Sequence, residues 1–573
     1  MKSLVGYTGF VGSNLAMSTH FDGLYNHSNI SSAFGTNPDL LVYAGVPAQK
    51  FMANKFPEED LAIIKEAIQN IKKINPKQLV LISTIDVYEN PYDVDETTKI
   101  NPETTSPYGK NRFFLEEWVR EHYSNALIVR LPALFGRNIK KNFVYDLIHF
   151  LPSLLSEAKF TELSAKEALI KKHYLDQGNG FYKLTINNPE EETNLKRVFE
   201  RLNFSALNFT DSRATYQFYN LKNLWSHIEL ALQHNLKLLC LATEPVSAGE
   251  IYSCITGETF VNELDGAIPH YDYKSINYQL FGGKRGYLVT KKQVLEELRN
   301  FVKEEQGLKL SVSNLAWDTT KDKEVLEVLK ELGFRGLEIA PSKLFGESPY
   351  INLEEPKKYT DYIGTDFGLS ICSMQSIWYK RSENIFSSEN DRKTLLDYTF
   401  KAIDFAACIG CKNLVFGCPK NRTIPSKLSK KEAVNVFCDF LKEINSYASE
   451  KGVYFSLEAN PAIYNTNFLN TTAETAKLIN SLKLSNIRLN LDFGTIIQNR
   501  EKIADIAKYL PIVQHVHISE PFLVTPKHRR KHKQLAELLK EAHYSGFVSL
   551  EMKEPNTPDN LLETLSYLKG VFQ

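Results

Sequence analysis

Three things are scarce in this 573-residue sequence, and each scarcity removes a class of protein. There is no excess of charge. Lys plus Arg and Asp plus Glu each total 68, so the formal net charge is zero. A dedicated nucleic-acid binder carries a basic footprint, so no nucleic-acid partner is expected. No apolar run approaches the roughly 20 residues that span a bilayer. Met1-Lys2-Ser3-Leu4-Val5 enters a glycine motif without the apolar region of a signal peptide. A cytoplasmic chain without a membrane partner is therefore expected. Cysteines number seven, an odd count with no regular framework, in a chain long enough to fold without covalent staples. Cys408-Ile409-Gly410-Cys411 lacks a second pair or a nearby His, and reads as the end of a helix before the strand Asn413–Phe416. The basic run from Lys527 to Lys533 reads as a solvated helix start or loop.

What is present is α/β patterning at a length that calls for two large domains. Hydrophobic residues make up 43% and charged residues 24%, the composition of a soluble globular protein. Short β-branched runs at Ser3–Val5, Leu40–Ala44, Gln78–Ser83 and Leu127–Leu131 alternate with the helical stretches Glu59–Ile74 and Asn111–His122. That is the pattern of a doubly wound parallel sheet covered on both faces. Residues 150–300 are less regular and end in a helix at Lys291–Lys303, after which Glu304-Glu305-Gln306-Gly307 reads as a linker. From Leu308 a second alternation begins. Its apolar runs are Leu308–Val312, Gly336–Ile339, Leu369–Met374, Asn413–Phe416, Tyr454–Leu457, Ile487–Leu491, Val513–Ile518 and Phe547–Leu550. This is the size and grammar of a closed (β/α)₈ barrel. The expected domains are 1–305 and 308–573.

In the first domain, Gly6, Gly9 and Gly12 lie where a first strand becomes a helix. Such glycines permit a tight turn and close backbone approach to a pyrophosphate lying against a helix N-terminus. The GxxGxxG spacing resembles that of the extended short-chain dehydrogenase/reductases, the NAD-dependent epimerase/dehydratase family. Ser83-Thr84-Ile85-Asp86-Val87-Tyr88 and Pro107-Tyr108-Gly109-Lys110-Asn111-Arg112, followed by Glu116, resemble that family's hydroxyl and Tyr-x-x-x-Lys segments. The segment Leu131–Gly136 resembles the stretch that borders nicotinamide and substrate. The resemblance implies Gly6, Gly9, Gly12, Tyr108 and Arg112 as cofactor-binding and Thr84, Tyr108 and Arg112 as catalytic. The tyrosine would exchange a proton with a sugar hydroxyl while hydride moves to or from the nicotinamide. Arg112 stands where the family has lysine, and an arginine fork does not replace an ammonium. The region Leu24–Ser28 has neither the acid nor the arginine that would choose between NAD and NADP. Two readings of this domain stand: an active oxidoreductase or epimerase, and a binder that has lost catalysis.

In the second domain, Glu458, Asp492, His517 and Glu551 each end or nearly end an apolar strand, which in a barrel is the active face. Three carboxylates and an imidazole suit Mn²⁺, Mg²⁺ or Co²⁺, with Zn²⁺ also admissible. Acidic residues after strands also serve as helix caps, which is the plainer reading of any one of them. The order Glu, Asp, His, Glu, with Glu331–Ile339 as a characteristic second strand, resembles the xylose isomerase-like barrel superfamily. That resemblance implies metal binding by all four residues and an acid/base pair of Glu458 and Glu551. Thr495 replaces a substrate-binding His of many epimerases, and Glu520-Pro521-Phe522-Leu523 lacks their arginine. A standard free ketose is therefore not the expected substrate. His515 reads as a packed interior histidine.

Together these features predict a bifunctional carbohydrate enzyme: a divalent-metal sugar isomerase or epimerase fused to an NAD- or NADP-dependent domain acting on a sugar or nucleotide-sugar. A homo-oligomer is compatible with the sequence. The alternatives are an inosose-dehydratase-like lyase barrel, and a first domain that is redox-degenerate and regulatory.

Overall fold

The computed structural model describes residues 1–186, 189–553 and 558–573. The chain divides into two compact units, Met1–Thr185 with Leu195–Gln306, and Ile186–Asn194 with Gly307–Gln573.

The first unit opens with β1 (Lys2–Val5), α1 (Phe10–Ser18), β2 (Gly23–Tyr25), β3 (Leu40–Tyr43), α2 (Lys50–Lys55), α3 (Pro57–Ile74), β4 (Leu79–Thr84), α4 (Pro107–His122) and β5 (Leu127–Leu131). With the later strand Leu238–Cys240 they form a six-stranded sheet, every pair parallel, in the order Leu238–Cys240, β5, β4, β3, β1, β2. The strands alternate between two cores because successive side chains point to opposite faces. Val42, Val80 and Val129 pack into one cluster, and Leu41, Leu79, Leu81 and Ile128 into the other. The chain order reverses between β1 and β3, so a crevice opens at their C-terminal ends, directly above the Gly6–Gly12 turn.

The last helix of this unit runs Lys291–Gln306. The polar Glu304-Glu305-Gln306 therefore extends the helix and does not form a linker. Its apolar stripe of Val294, Leu298, Phe301 and Val302 is buried, and the charged residues occupy the other side.

The second unit is a closed barrel of eight parallel strands in sequence order: Lys309–Ser313, Gly336–Ile339, Ser370–Met374, Asn413–Phe416, Tyr454–Glu458, Ile487–Asp492, Val513–Ile518 and Phe547–Leu550. Alternation splits these strands chemically. Leu310, Val312, Leu337, Ile339, Leu414, Phe416, Leu457, Leu489, Leu491, Val516, Val548 and Leu550 join the apolar core. The alternate set is polar and buried: Ser311, Ser313, Glu338, Ser373, Asn413, Ser456, Asn490, His515, His517 and Ser549. Hydrogen bonds link part of this interior, Asn413 Nδ2 to Ser373 Oγ at 3.0 Å and Ser456 Oγ to Asn413 Oδ1 at 2.6 Å. Register brings Glu458 level with Asn490, and Asp492 level with His517.

The basic run is only partly solvated. Arg529 makes a double hydrogen bond to the buried Glu520, 2.6 Å from each nitrogen, and His532 is fully buried in the helix Arg530–Glu541. The two cysteines Cys408 and Cys411 are free, with Cys408 closing the helix Glu389–Cys408.

Leu489 has no exposed surface and faces the apolar side of its strand. Leu489→Ala is expected to destabilise the barrel by about 2–5 kcal/mol in chemical denaturation, the range for a large-to-small change in a core. A loss under about 1 kcal/mol would contradict this packing.

Candidate active sites

The barrel site is built around His517. Its Nε2 lies 2.9 Å from Glu338 Oε2, and its Nδ1 lies 3.1 Å from both Glu458 Oε2 and Glu551 Oε2. One ring nitrogen is thus oriented by a buried carboxylate while the other faces two carboxylates at the mouth. Glu338 is fully buried on the second strand and also lies 3.0 Å from His515 Nε2, without hydrogen-bonding geometry. His515 is itself fully buried in the interior.

Further polar groups hold the carboxylates in place. Glu458 accepts from Asn490 Nδ2 at 2.6 Å and from Asn460 Nδ2 at 2.9 Å. The buried Arg422 in turn donates to Asn460 Oδ1 at 2.6 Å and to the main-chain oxygen of Glu458 at 2.8 Å. Asp492 caps the short helix that follows its strand. Its Oδ2 accepts from the Thr495 amide and hydroxyl, both at 2.7 Å, and its Oδ1 from Ser519 Oγ. The helix-cap role therefore applies to Asp492.

Glu458, His517 and Glu551 offer ligand atoms within 4.8 Å of one another, as do Glu338, His515 and His517. Asp492 lies outside the first triplet, next to it on the barrel wall.

The charges respond to one another. Burial pushes Glu551 up to about 7 against the pull of His517, and burial with the neighbouring Glu458 charge raises Asp492. Burial also works against the charged form of Glu458, but hydrogen bonding and charge from His517, then Asn460 and Arg422, hold it below the usual carboxylate range. His517 is raised well above its ordinary value: Glu338, Glu551 and Glu458 overcome its burial. Buried anions in excess of buried cations need a positive partner. The donor set of Glu458, His517, Glu551 and the adjacent Asp492 fits a divalent cation on that ground.

The first unit's site forms at the end of β1. Gly6 has φ +92°, and a Cβ there would lie 2.5 Å from the Ala44 carbonyl oxygen; one on Gly12 would lie 2.1 Å from Gly6 O. A Cβ on Gly9 would meet only Gly6 O, at 3.2 Å. Gly9 caps α1 with no side-chain hydrogen bond, and the first turn of α1 carries no acid. That open helix N-terminus fits a dinucleotide pyrophosphate.

Thr84 ends β4 and caps the turn that follows by accepting the Asp86 amide at 3.2 Å, and Tyr108 lies buried in the first turn of α4. Burial raises the Tyr108 phenol, while Arg112 and Thr84 act to lower it. The Arg112 guanidinium lies over the Tyr108 ring, 4.1 Å from its centre. Its nitrogens are held by Asp60 and by the Pro47 carbonyl, the latter at 2.7 Å. Lys110 is exposed and pairs with Glu103.

The two halves match two different families. Residues 326–571 match the xylose isomerase-like TIM barrels, and residues 3–171 match the NAD dependent epimerase/dehydratase family. An epimerase/dehydratase-type domain is thus fused to a xylose isomerase-like barrel. Among solved structures, 3-keto-D-glucoside 4-epimerase from E. coli is 19% identical over 46% of this chain and 99% of its own, with a TM-score of 0.40. D-psicose 3-epimerase from Clostridium cellulolyticum H10 is 16% identical over 46% of this chain and 100% of its own, also with a TM-score of 0.40. L-ribulose 3-epimerase is 16% identical over 45% of this chain and 86% of its own, with a TM-score of 0.36. No curated protein matches the chain. Among the described residues, no helix is long and apolar enough to cross a membrane.

Glu338, Asn460, Asn490 and Arg422 are additions that motif spacing does not reveal. Glu338 did carry a signal: it is a carboxylate inside an apolar strand. Counting by twos from the barrel's outward residues Leu337 and Ile339 places it inward.

The glycine geometry separates two substitutions. Gly12→Ala is expected to cost the first unit about 1–3 kcal/mol through overpacking in thermal unfolding. Gly9→Ala is expected to cost less, about 1 kcal/mol or under, since its Cβ would meet a single carbonyl oxygen at 3.2 Å and alanine is a poor N-cap. Equal costs would contradict the difference between a 2.1 Å clash at Gly12 and a 3.2 Å contact at Gly9.

Proposed function

We propose that the barrel is a divalent-metal-dependent sugar isomerase or epimerase, and that the first unit is an NAD- or NADP-dependent partner acting on a sugar or nucleotide-sugar. The functional domains are 1–305 and 308–573, working on small molecules in the cytoplasm without nucleic acid or membrane. The observation that supports the barrel reading is the position of His517, with Nδ1 at 3.1 Å from both Glu458 and Glu551 and Nε2 on Glu338.

Glu458, Asp492, His517 and Glu551 would hold the metal, His517 through Nδ1. Turning Asp492 toward it requires an oxygen now shared with Thr495 or Ser519. When bound, a divalent metal supplies Lewis-acid polarisation of a carbonyl and its neighbouring hydroxyl, which makes the adjacent C–H acidic. Glu338 keeps the imidazole oriented through Nε2, the arrangement in which a carboxylate fixes a ligating histidine. Glu458 and Glu551 then move the proton. Their environments separate them, with Glu458 held ionised and Glu551 raised to about 7. That separation belongs to the metal-free site; ligation takes the proton from Glu551, so in the loaded site both carboxylates are ionised. One glutamate then takes the proton next to the carbonyl. Its return by the same carboxylate to the neighbouring carbon would give isomerisation, and delivery to the opposite face by the other, once that one has taken a proton from solvent, would give epimerisation.

In the first unit, the Thr84 and Tyr108 hydroxyls would exchange a proton with a substrate hydroxyl. A bound nicotinamide would supply hydride chemistry, and Gly6, Gly9, Gly12, Tyr108 and Arg112 line the region where it would lie.

Metal content measures the barrel reading directly. Purified protein is expected to carry a divalent metal that Glu458→Ala and Glu551→Ala lower. Metal-loaded wild type is expected to wash solvent deuterium into a keto-sugar, and chelation should abolish the exchange. Unchanged metal content in all four single ligand variants would end this reading. Glu338→Gln should weaken metal binding by about 10–100-fold, because it removes the oriented partner of Nε2.

The pH dependence has a definite sign. Glu551 is protonated below about 7 in the metal-free site, and His517 carries a proton well above its ordinary value. Both must lose that proton to ligate. Metal uptake is therefore expected to strengthen as pH rises through 7 and to release protons, readable by calorimetry in buffers of different ionisation enthalpy. Uptake independent of pH would contradict this account of the site.

A further inference from the structure

The short helix α2 is fastened to the first turn of α4 at several points. Asn54 Oδ1 accepts the Tyr108 amide at 2.9 Å, and the Pro47 carbonyl just before α2 accepts Arg112 Nη2 at 2.7 Å. Lys50, one helical turn before Asn54, places its Nζ 2.9 Å from Asp86 Oδ1. Asp86 itself lies against α4, since a Cβ on Gly109 would meet Asp86 O at 2.0 Å. The Tyr271 hydroxyl approaches the same Asp86 oxygen at 3.5 Å. Lys50, Asp86, Tyr271 and Tyr108 are therefore gathered at one end of α4, although they come from four separate parts of the chain.

The two cations near Tyr108 are placed very differently. Arg112 is buried, lies over the phenol ring, and has nitrogens bound to Asp60 and to the Pro47 carbonyl. A guanidinium is permanently charged and stacks well on aromatic faces. Bound as it is, it acts on Tyr108 as a fixed charge. The Lys50 side chain is 47% exposed. An ammonium has three donors; Asp86 takes one, and with nearly half of the side chain exposed the rest of the ammonium is open to a ligand entering from solvent. Asp86 and Tyr271 also keep it protonated against partial burial.

We propose that two tasks commonly combined in a single lysine are divided in this protein: Arg112 supplies the fixed positive charge on Tyr108, and Lys50, positioned by Asp86 and Tyr271, supplies the ammonium that hydrogen-bonds the bound nicotinamide nucleotide. The proposal rests on the reading of the first unit as a nicotinamide-nucleotide binder. It accounts for a Tyr-x-x-x-Arg helix at this site without loss of ligand recognition, and it assigns Lys50 a role that spacing along α4 cannot show.

Calorimetric titration of the full chain with NAD, NADH, NADP and NADPH tests it. Lys50→Met is expected to weaken the best-bound nucleotide by at least about tenfold, and Lys50→Arg to recover part of that loss. The melting temperature of Lys50→Met should match wild type, because its side chain is half exposed; a merely structural role would move it. The Tyr108 phenol, read as the absorbance difference from Tyr108→Phe across a pH titration, should rise more in Arg112→Met than in Lys50→Met. If Arg112→Met does not fold, Arg112→Lys serves, since an ammonium cannot both cover the ring and reach Asp60 and Pro47. Nucleotide affinity unchanged in Lys50→Met, with wild type binding normally, overturns the division alone. A phenol that moves with Lys50 and not with Arg112 overturns it as well. No binding of any of the four nucleotides by wild type overturns the nucleotide reading itself, and the division with it.

Discussion

A single imidazole surrounded by buried carboxylates is the constraint on which the barrel's interior depends. His517 meets Glu338 on one side and Glu458 and Glu551 on the other, with Asp492 on the neighbouring strand. Carboxylates removed from water are tolerated only when hydrogen-bonded and neutralised. Much of the polar interior follows from that requirement. Asn490 and Asn460 satisfy Glu458, Ser519 and Thr495 satisfy Asp492, and Arg422 steadies Asn460 from behind. The same requirement explains why Glu458 and Glu551 differ in acidity although both face Nδ1: Glu458 has amide donors that favour its ionised form, whereas burial dominates at Glu551.

The first unit meets a different constraint, that of bringing a backbone close to a ligand. Gly6 and Gly12 are required by the chain's own contacts with Ala44 and with each other, and Gly9 is held only by a looser approach to the Gly6 carbonyl. The site beyond the turn is assembled by α2, whose attachment to α4 uses Arg112 as a clamp. An arginine at that position is therefore a structural member as well as a charge, and replacing it with the shorter-reaching ammonium would release Asp60 and Pro47 together.

Much of this was legible in the amino-acid order, and the exceptions have physical reasons. All eight barrel strands lie within two residues of the apolar runs that announce them, because each is apolar on its outer face and interrupted by helices of clear 3.6-residue period. The residues gathered at the barrel mouth were visible as polar endings on those runs. Glu304–Gln306 was misread as a linker because its charged residues mask a helix whose buried stripe ends at Val302. Glu338 hid inside an apolar strand. Asn460 and Arg422 lie in connecting segments where no period operates. Lys50 and Tyr271 were beyond reach of any local pattern, since they join Asp86 only through tertiary packing.

The inward row of Ser, Asn and His residues in the barrel carries one last implication. In a barrel whose centre is filled with branched aliphatic side chains, altering the ligand-facing end of a strand disturbs the core that holds the fold together. Here the strand faces are divided, with Leu310, Leu337, Leu457 and Leu489 packed outward and Ser311, Glu338, Ser456 and Asn490 inward. Selection for a new substrate can therefore rewrite the inner row while the outer one goes on holding the barrel closed, which makes this half of the chain adaptable in a way its compactness conceals.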